Sequence, residues 1–402
     1  MRIAIVGGGI TGLSLGYFLA KKFHKVTVFE KEGHLGGLAS VFDAGGFELE
    51  RFYHHFFPSD SHLIDLIGEL KLANRLVWAK SSMGFYSRGK IHPFTSPLDL
   101  LSFSPLSFFS RIRLGLLAVG SRMIGDWQPL SGIRAKDWLV GRIGEEAYSV
   151  VWEPLLISKF GKYHDQVPAA WVWGRLAARA GARGIGAEKL GYLKGGLGPL
   201  FNALAEHMTE IRLSSPVNDL SHLGAYDRVI FTIAPPLVKQ TAGVAIEQAA
   251  GYLGNICVIL KVQKPLSKYY WINIGDTTFP FCAAVEQNNA FDDEKYGGSR
   301  FIYLSRYTSH DDPLWKESDD KIVAHFAEGI KKIDPDVKYT SAFVFRDRYA
   351  QPLVTLNYQP PPFEIEKGRI YMVNNAQIYP RDRGLNDSIG IVKRFLNSGY
   401  LL

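Results

Sequence analysis

The chain begins with a short apolar segment that leads directly into a glycine-rich turn. Residues 2–6 are followed by Gly7-Gly8-Gly9-Ile10-Thr11-Gly12, the pattern G-x-G-x-x-G, and Glu30 lies eighteen residues after Gly12. In a βαβ unit the three glycines allow a tight turn, close approach of a pyrophosphate, and close packing of helix on strand. An acidic residue at this distance accepts hydrogen bonds from an adenosine ribose. The segment therefore predicts dinucleotide binding, with an ordinary glycine-rich βα turn as the alternative.

A second pair of glycines, Gly36 and Gly37, begins six residues after Glu30. A nicotinamide dehydrogenase needs no further close backbone approach there, whereas an extended FAD passes this loop. On these residues the chain resembles the flavin amine oxidase superfamily, which includes protoporphyrinogen oxidase, phytoene desaturases and, more distantly, UDP-galactopyranose mutase. The resemblance implies non-covalent FAD, because covalent members use a cysteine in the C-terminal flavin segment and none follows Cys282. A plain Gly-Gly turn is the alternative.

Later segments extend the resemblance. Residues 193–204 resemble the turn and helix by which the superfamily re-enters its flavin domain. Val217, at the end of the predicted strand 211–217, matches a valine whose backbone contacts adenine. After the predicted strand 368–373, Asn374-Asn375 replaces the family's usual Gly-Asp, and a capped helix follows whose N-terminus would face the flavin. Asparagine still donates and accepts hydrogen bonds, so we expect binding to survive with altered flavin electronics. The residues implied to bind FAD are Gly7, Gly8, Gly9, Ile10, Thr11, Gly12, Glu30, Lys31, Gly36, Gly37, Leu38, Val217, Asn375, Asn386 and Ile389.

The predicted fold class is α/β. We expect a Rossmann-like FAD-binding domain of the glutathione-reductase type, interleaved with an α+β substrate domain that bears an antiparallel sheet and a helical insertion. The sheet is predicted from alternating apolar residues between Gly251 and Tyr349. The expected FAD-binding domain comprises residues 1–75, 190–245 and 355–402, and the expected substrate domain comprises 76–189, which is mainly helical and where the resemblance is weak, and 246–354.

Charge and composition narrow the class of protein. The net charge of +7 is modest and its basic residues are scattered, so we expect no nucleic-acid partner. Cys257 and Cys282 are predicted to be free buried thiols, although one disulfide is conceivable. The most apolar region, 97–124, is interrupted by charged residues and falls short of the about 20 apolar residues that span a bilayer. We expect a cytoplasmic protein without a leader peptide, at most peripheral to membranes, and no metal site.

Few catalytic side chains are needed when flavin supplies the chemistry. His54 and His55 lie where family members pass the flavin ring, and they are candidates for proton relay or flavin contact. The alternative is one structural and one surface histidine. Glu286 follows an apolar strand and is a candidate for the wall of the substrate cavity, or simply a polar strand end.

Arginines at helical spacing are a further candidate site. Arg175, Arg179 and Arg183 would share one helix face, which suits a diphosphate or simply a solvated surface. Tyr379 and Arg381, beside the C-terminal flavin loop, are weaker candidates.

The leading interpretation is an FAD-dependent oxidoreductase that removes a hydride from a largely apolar or amine-bearing small molecule and passes electrons to oxygen or another acceptor. One alternative is a nucleotide-sugar isomerase resembling UDP-galactopyranose mutase. Another is a binding protein, since prenyl-protein escort proteins share the fold, although their flavin motifs are degraded. Aromatic residues within 91–124, followed by Arg111, Arg113 and Arg122, predict a lipid-like substrate entering from anionic headgroups, or ordinary helix packing.

Overall fold

The computed structural model describes residues 1–182, 188–244, 246, 251–291, 296–381 and 383–401, without the side chains of 178–182. The chain divides into two units, each built from separated segments. Unit 1 comprises Met1–Leu76, Tyr192–Gly251 and Gln359–Leu402, and unit 2 comprises Val77–Gly191 and Tyr252–Tyr358.

The elements are numbered along the chain. The strands are β1 (Arg2–Val6), β2 (Lys25–Phe29), β3 (Val41–Asp43), β4 (Glu48–Glu50), β5 (Leu76–Lys80), β6 (Met83–Ser87), β7 (Lys90–Pro93), β8 (Lys189–Leu193), β9 (Glu210–Arg212), β10 (Arg228–Phe231), β11 (Tyr252–Val262), β12 (Trp271–Ile274), β13 (Ala283–Glu286), β14 (Arg300–Thr308), β15 (Tyr339–Pro352), β16 (Glu364–Glu366) and β17 (Ile370–Met372). The α-helices are α1 (Ile10–Ala20), α2 (Ser61–Glu69), α3 (Pro97–Leu101), α4 (Phe108–Gly120), α5 (Ala135–Ala147), α6 (Glu153–Phe160), α7 (Ala169–Ala182), α8 (Gly198–Ala205), α9 (Pro235–Ala242), α10 (Asp319–Lys331) and α11 (Leu385–Asn397).

Unit 1 contains a sheet in the order β16-β17-β10-β1-β2-β9, in which only β16 runs antiparallel to its neighbour. Parallel strands covered on both faces are nearly continuous apolar runs, as β1 is after Arg2. Its alternate residues enter two apolar clusters: Ile3 and Ile5 pack with α1 and α11, and Ala4 and Val6 pack with α9. Helices therefore cover both faces of this sheet.

The strand predicted from Ile211 to Val217 is shorter in the structure, and this part of the prediction is wrong. β9 ends at Arg212, because Ser214 adopts the left-handed conformation with φ of 49°. The amides of Ser214 and Ser215 then donate to the carbonyls of Glu32 and Glu30, at 2.9 and 2.8 Å. Val217 consequently lies in a loop beyond the strand.

Unit 2 contains a mixed sheet in the order β15-β11-β14-β13-β12-β6-β7, in which β12 and β6 are parallel and the other pairs antiparallel. The antiparallel sheet predicted between Gly251 and Tyr349 is present. The stretch predicted to be mainly helical supplies α3 to α7, but it also contributes β6 and β7 to this sheet.

The two faces of the unit 2 sheet differ because side chains alternate along each strand. Ile256, Val258 and Leu260 of β11 join the cluster that packs on α10. Asn255 and Cys257 alternate with them and belong to the opposite face, where Cys257 is registered with Ser305 of β14. Asn255 donates to the Ser305 hydroxyl at 2.8 Å. The first face is thus apolar along β11, although Arg306 of β14 and Arg346 of β15 are registered with Ile256, and the other face includes buried polar groups.

The contact of Gly12 with the glycine turn yields a stability prediction. A Cβ atom on Gly12 would overlap the carbonyl oxygen of Gly7, and neither backbone segment can yield easily. Because such overpacking costs about 3 kcal/mol, Gly12→Ala should lower the free energy of unfolding by about that amount in urea titration. Gly68 is the control: it lies in α2, and an added methyl group there would meet open space. Gly68→Ala should stabilise by about 0.4–1 kcal/mol, and equal losses in both variants would contradict the packing argument.

Candidate functional site

The glycine turn of unit 1 links β1 to α1. Gly7 has a φ of 115°, and its N–H donates to the carbonyl of Phe29 at 2.8 Å. Gly9 is the N-cap of α1 and offers no side-chain hydrogen bond. The first amides of a helix lack intrahelical partners and carry partial positive charge. The start of α1 is therefore suited to an anion such as a pyrophosphate.

Glu30 fixes this turn from the end of β2. It is 7% exposed, and its Oε2 accepts the N–H of Gly8 at 2.7 Å while its Oε1 accepts the N–H of Glu32 at 2.9 Å. Each carboxylate oxygen can accept more than one hydrogen bond. The side chain thus both stabilises the turn and keeps acceptor capacity for a ribose hydroxyl.

The two glycine segments lie against each other. Gly36 donates its N–H to the carbonyl of Gly8 at 2.9 Å and forms a β-bridge with Gly9. Gly36 and Gly37 have φ values of 107° and 56°, which residues with side chains rarely adopt. A Cβ on Gly37 would lie 3.3 Å from the Cα of Gly9. The structure therefore brings both predicted motifs together. We call residues 7–12 with Gly36 and Gly37 the glycine cradle, whose open space side chains at these positions would occupy.

Thr232 is a supporting residue that the sequence analysis missed. Its hydroxyl lies 3.1 and 3.0 Å from the carbonyl oxygens of Val6 and Gly7. It follows β10, the strand beside β1, and residues just beyond the carboxyl ends of adjacent parallel strands meet at one edge of a sheet. The position of Thr232 directly after a predicted strand was the sequence signal that could have identified it.

Other residues implied to bind FAD differ in surroundings. Ile10 and Thr11 are largely buried at the start of α1. Leu38 is half-buried in the turn after Gly37, whereas the Lys31 side chain is exposed and 3.3 Å from Glu32. Val217 packs at the edge of the apolar cluster around α9, and its carbonyl accepts from Thr241 at 3.2 Å.

The C-terminal asparagines divide between two roles. Asn374 is 2% exposed; its amide donates to the carbonyl of Ile233 at 2.9 Å and its Oδ1 accepts from the N–H of Ala376 at 3.0 Å. It therefore supports the loop itself. Asn375, the residue predicted to bind FAD, is more exposed.

The start of α11 differs from the predicted capped helix. Its N-cap is Gly384, without a side-chain hydrogen bond, so the N-terminal amides are not capped by it. Asn386 accepts from the N–H of Leu63 in α2 at 3.3 Å, which joins two helices of unit 1. Ile389 is fully buried in an apolar cluster, which makes its side chain a packing residue rather than a surface for a ligand.

His54 is held as a neutral imidazole. Its Nδ1 lies 2.7 Å from the carbonyl of Phe52, so the proton sits on Nδ1 and Nε2 is left as an acceptor. Burial lowers the pKa of His54 to about 4, since desolvation disfavours the cation, and the nearby Arg383 acts in the same direction. His55 packs its ring against Phe57, with 5.5 Å between centroids.

Glu286 is buried in unit 2, where it holds the loop that contains Leu266 and Ser267. It is 3% exposed and accepts from the N–H of Leu266 and the hydroxyl of Ser267, both at 2.8 Å. Burial raises the pKa of Glu286 to about 7, although these hydrogen bonds oppose the shift. The structure thus gives this carboxyl a structural task, at the end of β13.

The remaining candidate residues have other surroundings. Arg175 places its guanidinium 4.8 Å from the centre of the Trp171 ring. The Arg179 side chain and Arg183 lie outside the described residues. Arg381 is 73% exposed and 3.5 Å from Asp387, and Tyr379 is half-buried. Both cysteines are free thiols, and burial raises the pKa of each.

Comparison with known proteins decides the family. The flavin containing amine oxidoreductase family matches residues 10–379. The chain belongs to this family. It is therefore an oxidoreductase by family, its cofactor is FAD, and the glycine cradle with Glu30 fits that group. No helix in the described ranges combines the length and apolar character that a membrane span requires.

Curated relatives match over part of their length. A 15-cis-phytoene desaturase from Synechococcus elongatus is 32% identical over 130 residues, which is 29% of this chain and 27% of that protein. A coproporphyrinogen III oxidase from Propionibacterium freudenreichii is 23% identical over 282 residues, 56% of this chain and 54% of that protein. The matches thus span about a quarter to a half of these relatives.

Solved structures match over nearly the whole chain. A candidate protoporphyrinogen oxidase from Exiguobacterium has a TM-score of 0.76 at 20% identity, covering 100% of this chain and 98% of that one. Reduced UDP-galactopyranose mutase has a TM-score of 0.76 at 16% identity, covering 99% and 94%. Putrescine oxidase bound to putrescine has a TM-score of 0.73 at 16% identity, covering 99% of each chain. These likenesses confirm the predicted fold class.

The position of Glu30 predicts its effect on cofactor affinity. Glu30→Gln retains one acceptor for the N–H of Gly8 but loses the charge that would receive the ribose hydroxyls. We expect FAD to bind about 1.5–3 kcal/mol more weakly, the worth of a hydrogen bond to a charged group, as measured by flavin fluorescence titration. Arg381→Ala is the control, because that side chain is exposed, and it should change the affinity far less. Unchanged affinity in Glu30→Gln would show that the ribose acid is misassigned.

The raised pKa of Glu286 predicts a pH-dependent stability. In the folded state the Glu286 carboxyl keeps its proton up to about pH 7, whereas the ordinary pKa of a glutamate is 4.5. Stability should therefore fall as the pH rises from about 4.5 through 7, by about 3 kcal/mol in urea titration. Glu286→Gln imitates the protonated carboxyl and should remove this fall. Glu286→Ala should be less stable at every pH, because Leu266 and Ser267 lose their acceptor. The same pH profile in wild type and Glu286→Gln would contradict this role.

Proposed function

We propose that this chain is an FAD-dependent oxidoreductase that removes a hydride from a largely apolar small molecule and passes the electrons to oxygen or another acceptor. The proposal takes its reaction class from the family. A cavity in unit 2 is the main support for proposing an apolar substrate and not an amine.

This cavity has a volume of about 240 Å³ and lies between the segment 157–162 and the ends of β13 and β14. Its aromatic lining residues are Phe160, Phe279, Phe281 and Tyr307. Its charged lining residues are Lys159, Lys162, Arg306 and Asp312. Aromatic walls of this kind bury apolar surface, and a few polar groups orient a ligand.

The charges of the cavity disfavour an ammonium group. Asp312 is the acid among the charged lining residues and is held by Arg306 at 3.0 Å, and Lys162 is paired with the adjacent Asp311 at 2.7 Å. Three basic groups against two acids leave an excess of positive charge, which repels a cationic substrate. An apolar compound, or one that bears carboxylates, therefore fits better than a protonated amine. The names of two relatives, phytoene desaturase and coproporphyrinogen III oxidase, agree with this choice.

The residues of unit 1 would bind and orient the cofactor. The N-terminal amides of α1 would hold its diphosphate and Glu30 its ribose, while the N-terminus of α11 would stabilise negative charge. When bound, FAD supplies hydride acceptance. His54 is neutral at neutral pH and keeps its proton at Nδ1, so it can accept a hydrogen bond at Nε2 but cannot serve there as an acid.

A redox-neutral isomerase is the second candidate, favoured by the likeness to reduced UDP-galactopyranose mutase over 99% of the chain. The arginine row that would bind a sugar diphosphate gives this candidate limited support, because within the described residues it is represented by Arg175, which stacks on Trp171.

The test is anaerobic reduction of the bound flavin, followed by its visible absorbance. Oxidised holoprotein is mixed with an apolar polyene, a carboxylate-bearing porphyrinogen, or putrescine. We expect bleaching by a polyene or the porphyrinogen at least about tenfold faster than by putrescine, since one charge interaction in a partly buried site is worth more than about 1.4 kcal/mol. Admission of air should restore the colour.

The other outcomes are distinct. Faster bleaching by putrescine would overturn the proposal of an apolar substrate and would indicate an amine substrate instead. No bleaching by any of the three, combined with conversion of UDP-galactopyranose only after chemical reduction of the flavin, would replace the oxidoreductase proposal with the isomerase.

A further inference from the structure

Large apolar side chains are exposed along α3, α4 and the turn that follows. Two of them, Phe109 and Met123, are 78% and 84% exposed. A soluble surface rarely gathers so many such groups in one place without a binding role. The set comprises Leu98, Leu101, Phe108, Phe109, Ile112, Leu116, Val119 and Met123, and we call it the α4 patch.

The part of the α4 patch that lies in α4 occupies one face of a well-anchored helix. With about 100° between successive residues, the exposed residues Phe108, Phe109, Ile112, Leu116 and Val119 fall within an arc of about 100°. Leu114 and Leu117 point the opposite way and are buried.

The anchoring of α4 comes from its first turn. Glu146 of α5 accepts hydrogen bonds from the N–H of Ser107 at 2.8 Å and from the hydroxyls of Ser107 and Ser110 at 2.5 Å. Because the inner face is packed and the N-terminus is fixed, the patch is presented by a formed helix rather than by a loop.

The charged side chains within the segment 100–125 are of one sign, while Asp99 accepts backbone amides at the start of α3 and Glu146 accepts from the first turn of α4. Between residues 100 and 125 the chain has no aspartate or glutamate, whereas Arg111, Arg113 and Arg122 all occur there. By the helical spacing, Arg111 and Arg113 flank the two edges of the apolar stripe. Arg111 donates to the carbonyls of Leu101 and Leu106 at 2.7 and 2.9 Å, which holds its guanidinium beside the patch.

This combination points to an anionic bilayer rather than a second copy of the chain. A symmetric contact between two such patches would bring the same arginines together, and like charges would oppose it. Anionic headgroups would instead neutralise them, while the apolar side chains enter the headgroup and acyl boundary.

We propose that the α4 patch docks the protein on the surface of an anionic lipid bilayer, with α4 lying in the plane of the interface. Its 13 residues measure about 20 Å, less than the about 30 Å of a hydrocarbon core. The helix therefore lies on the membrane and does not cross it. This docking does not depend on which substrate the flavin oxidises.

The test is flotation of the full-length holoprotein with vesicles of phosphatidylglycerol and phosphatidylcholine, or of phosphatidylcholine alone. We expect binding to the anionic vesicles that weakens as salt shortens the Debye length, and much weaker binding to the neutral ones. Phe108→Ser with Phe109→Ser should lower vesicle binding at least about tenfold. Arg113→Gln should weaken binding to anionic vesicles and leave the neutral ones unchanged.

Phe23→Ser is the matched control, because Phe23 is 96% exposed but lies in unit 1, outside the α4 patch. It should leave binding within about twofold of wild type. Both aromatic variants should melt as wild type does, since the residues that they replace are exposed. Three results would overturn the proposal: no binding to anionic vesicles, an equal loss in Phe23→Ser, or a wild-type dimer that Phe108→Ser with Phe109→Ser dissociates without changing flotation.

Discussion

The backbone of Gly8 is held from both sides, and the cofactor cradle depends on this arrangement. Its N–H donates to the buried carboxylate of Glu30, and its carbonyl accepts from Gly36. One residue thereby joins the end of β2, the turn after β1 and the second glycine loop. Because these contacts use backbone atoms and one carboxylate, the start of α1 remains open toward an anion. The glycines make the approach possible, and Glu30 makes it rigid.

Buried carboxylates perform related work in both units, with different consequences. Glu30 and Glu286 each accept two donors from nearby chain. The acceptors of Glu30 lie beside a glycine cradle, so its remaining capacity can serve a ligand. Glu286 is enclosed at the end of β13, where its environment raises the pKa and favours the protonated form. The role of a carboxylate at a strand end therefore depends on its three-dimensional surroundings, and the sequence pattern does not describe these.

The sequence predicted what backbone geometry dictates and missed what depends on distant contacts. Gly7, Gly12 and Gly36 could be assigned because only glycine tolerates their conformations or contacts. The end of β9 at Arg212 could not, since it follows from the left-handed Ser214 and its bonds to another loop. Thr232 was missed because it joins the site only when β10 pairs with β1. In α4, both faces are apolar, so periodicity could not decide which face is exposed; the packing of Leu114 and Leu117 decides it.

The threading of the chain between units sets an order of folding during synthesis. β1 pairs with β2 within the first thirty residues, but its other neighbour, β10, begins at Arg228, and β17 begins only at Ile370. The whole of unit 2, which ends at Tyr358, is synthesised before the last strand of unit 1. The cofactor-binding unit thus carries the earliest motif and closes last, so its central strand keeps an unpaired edge through much of translation. Such an edge invites misassembly, and the nascent chain must be shielded there until its late segments arrive.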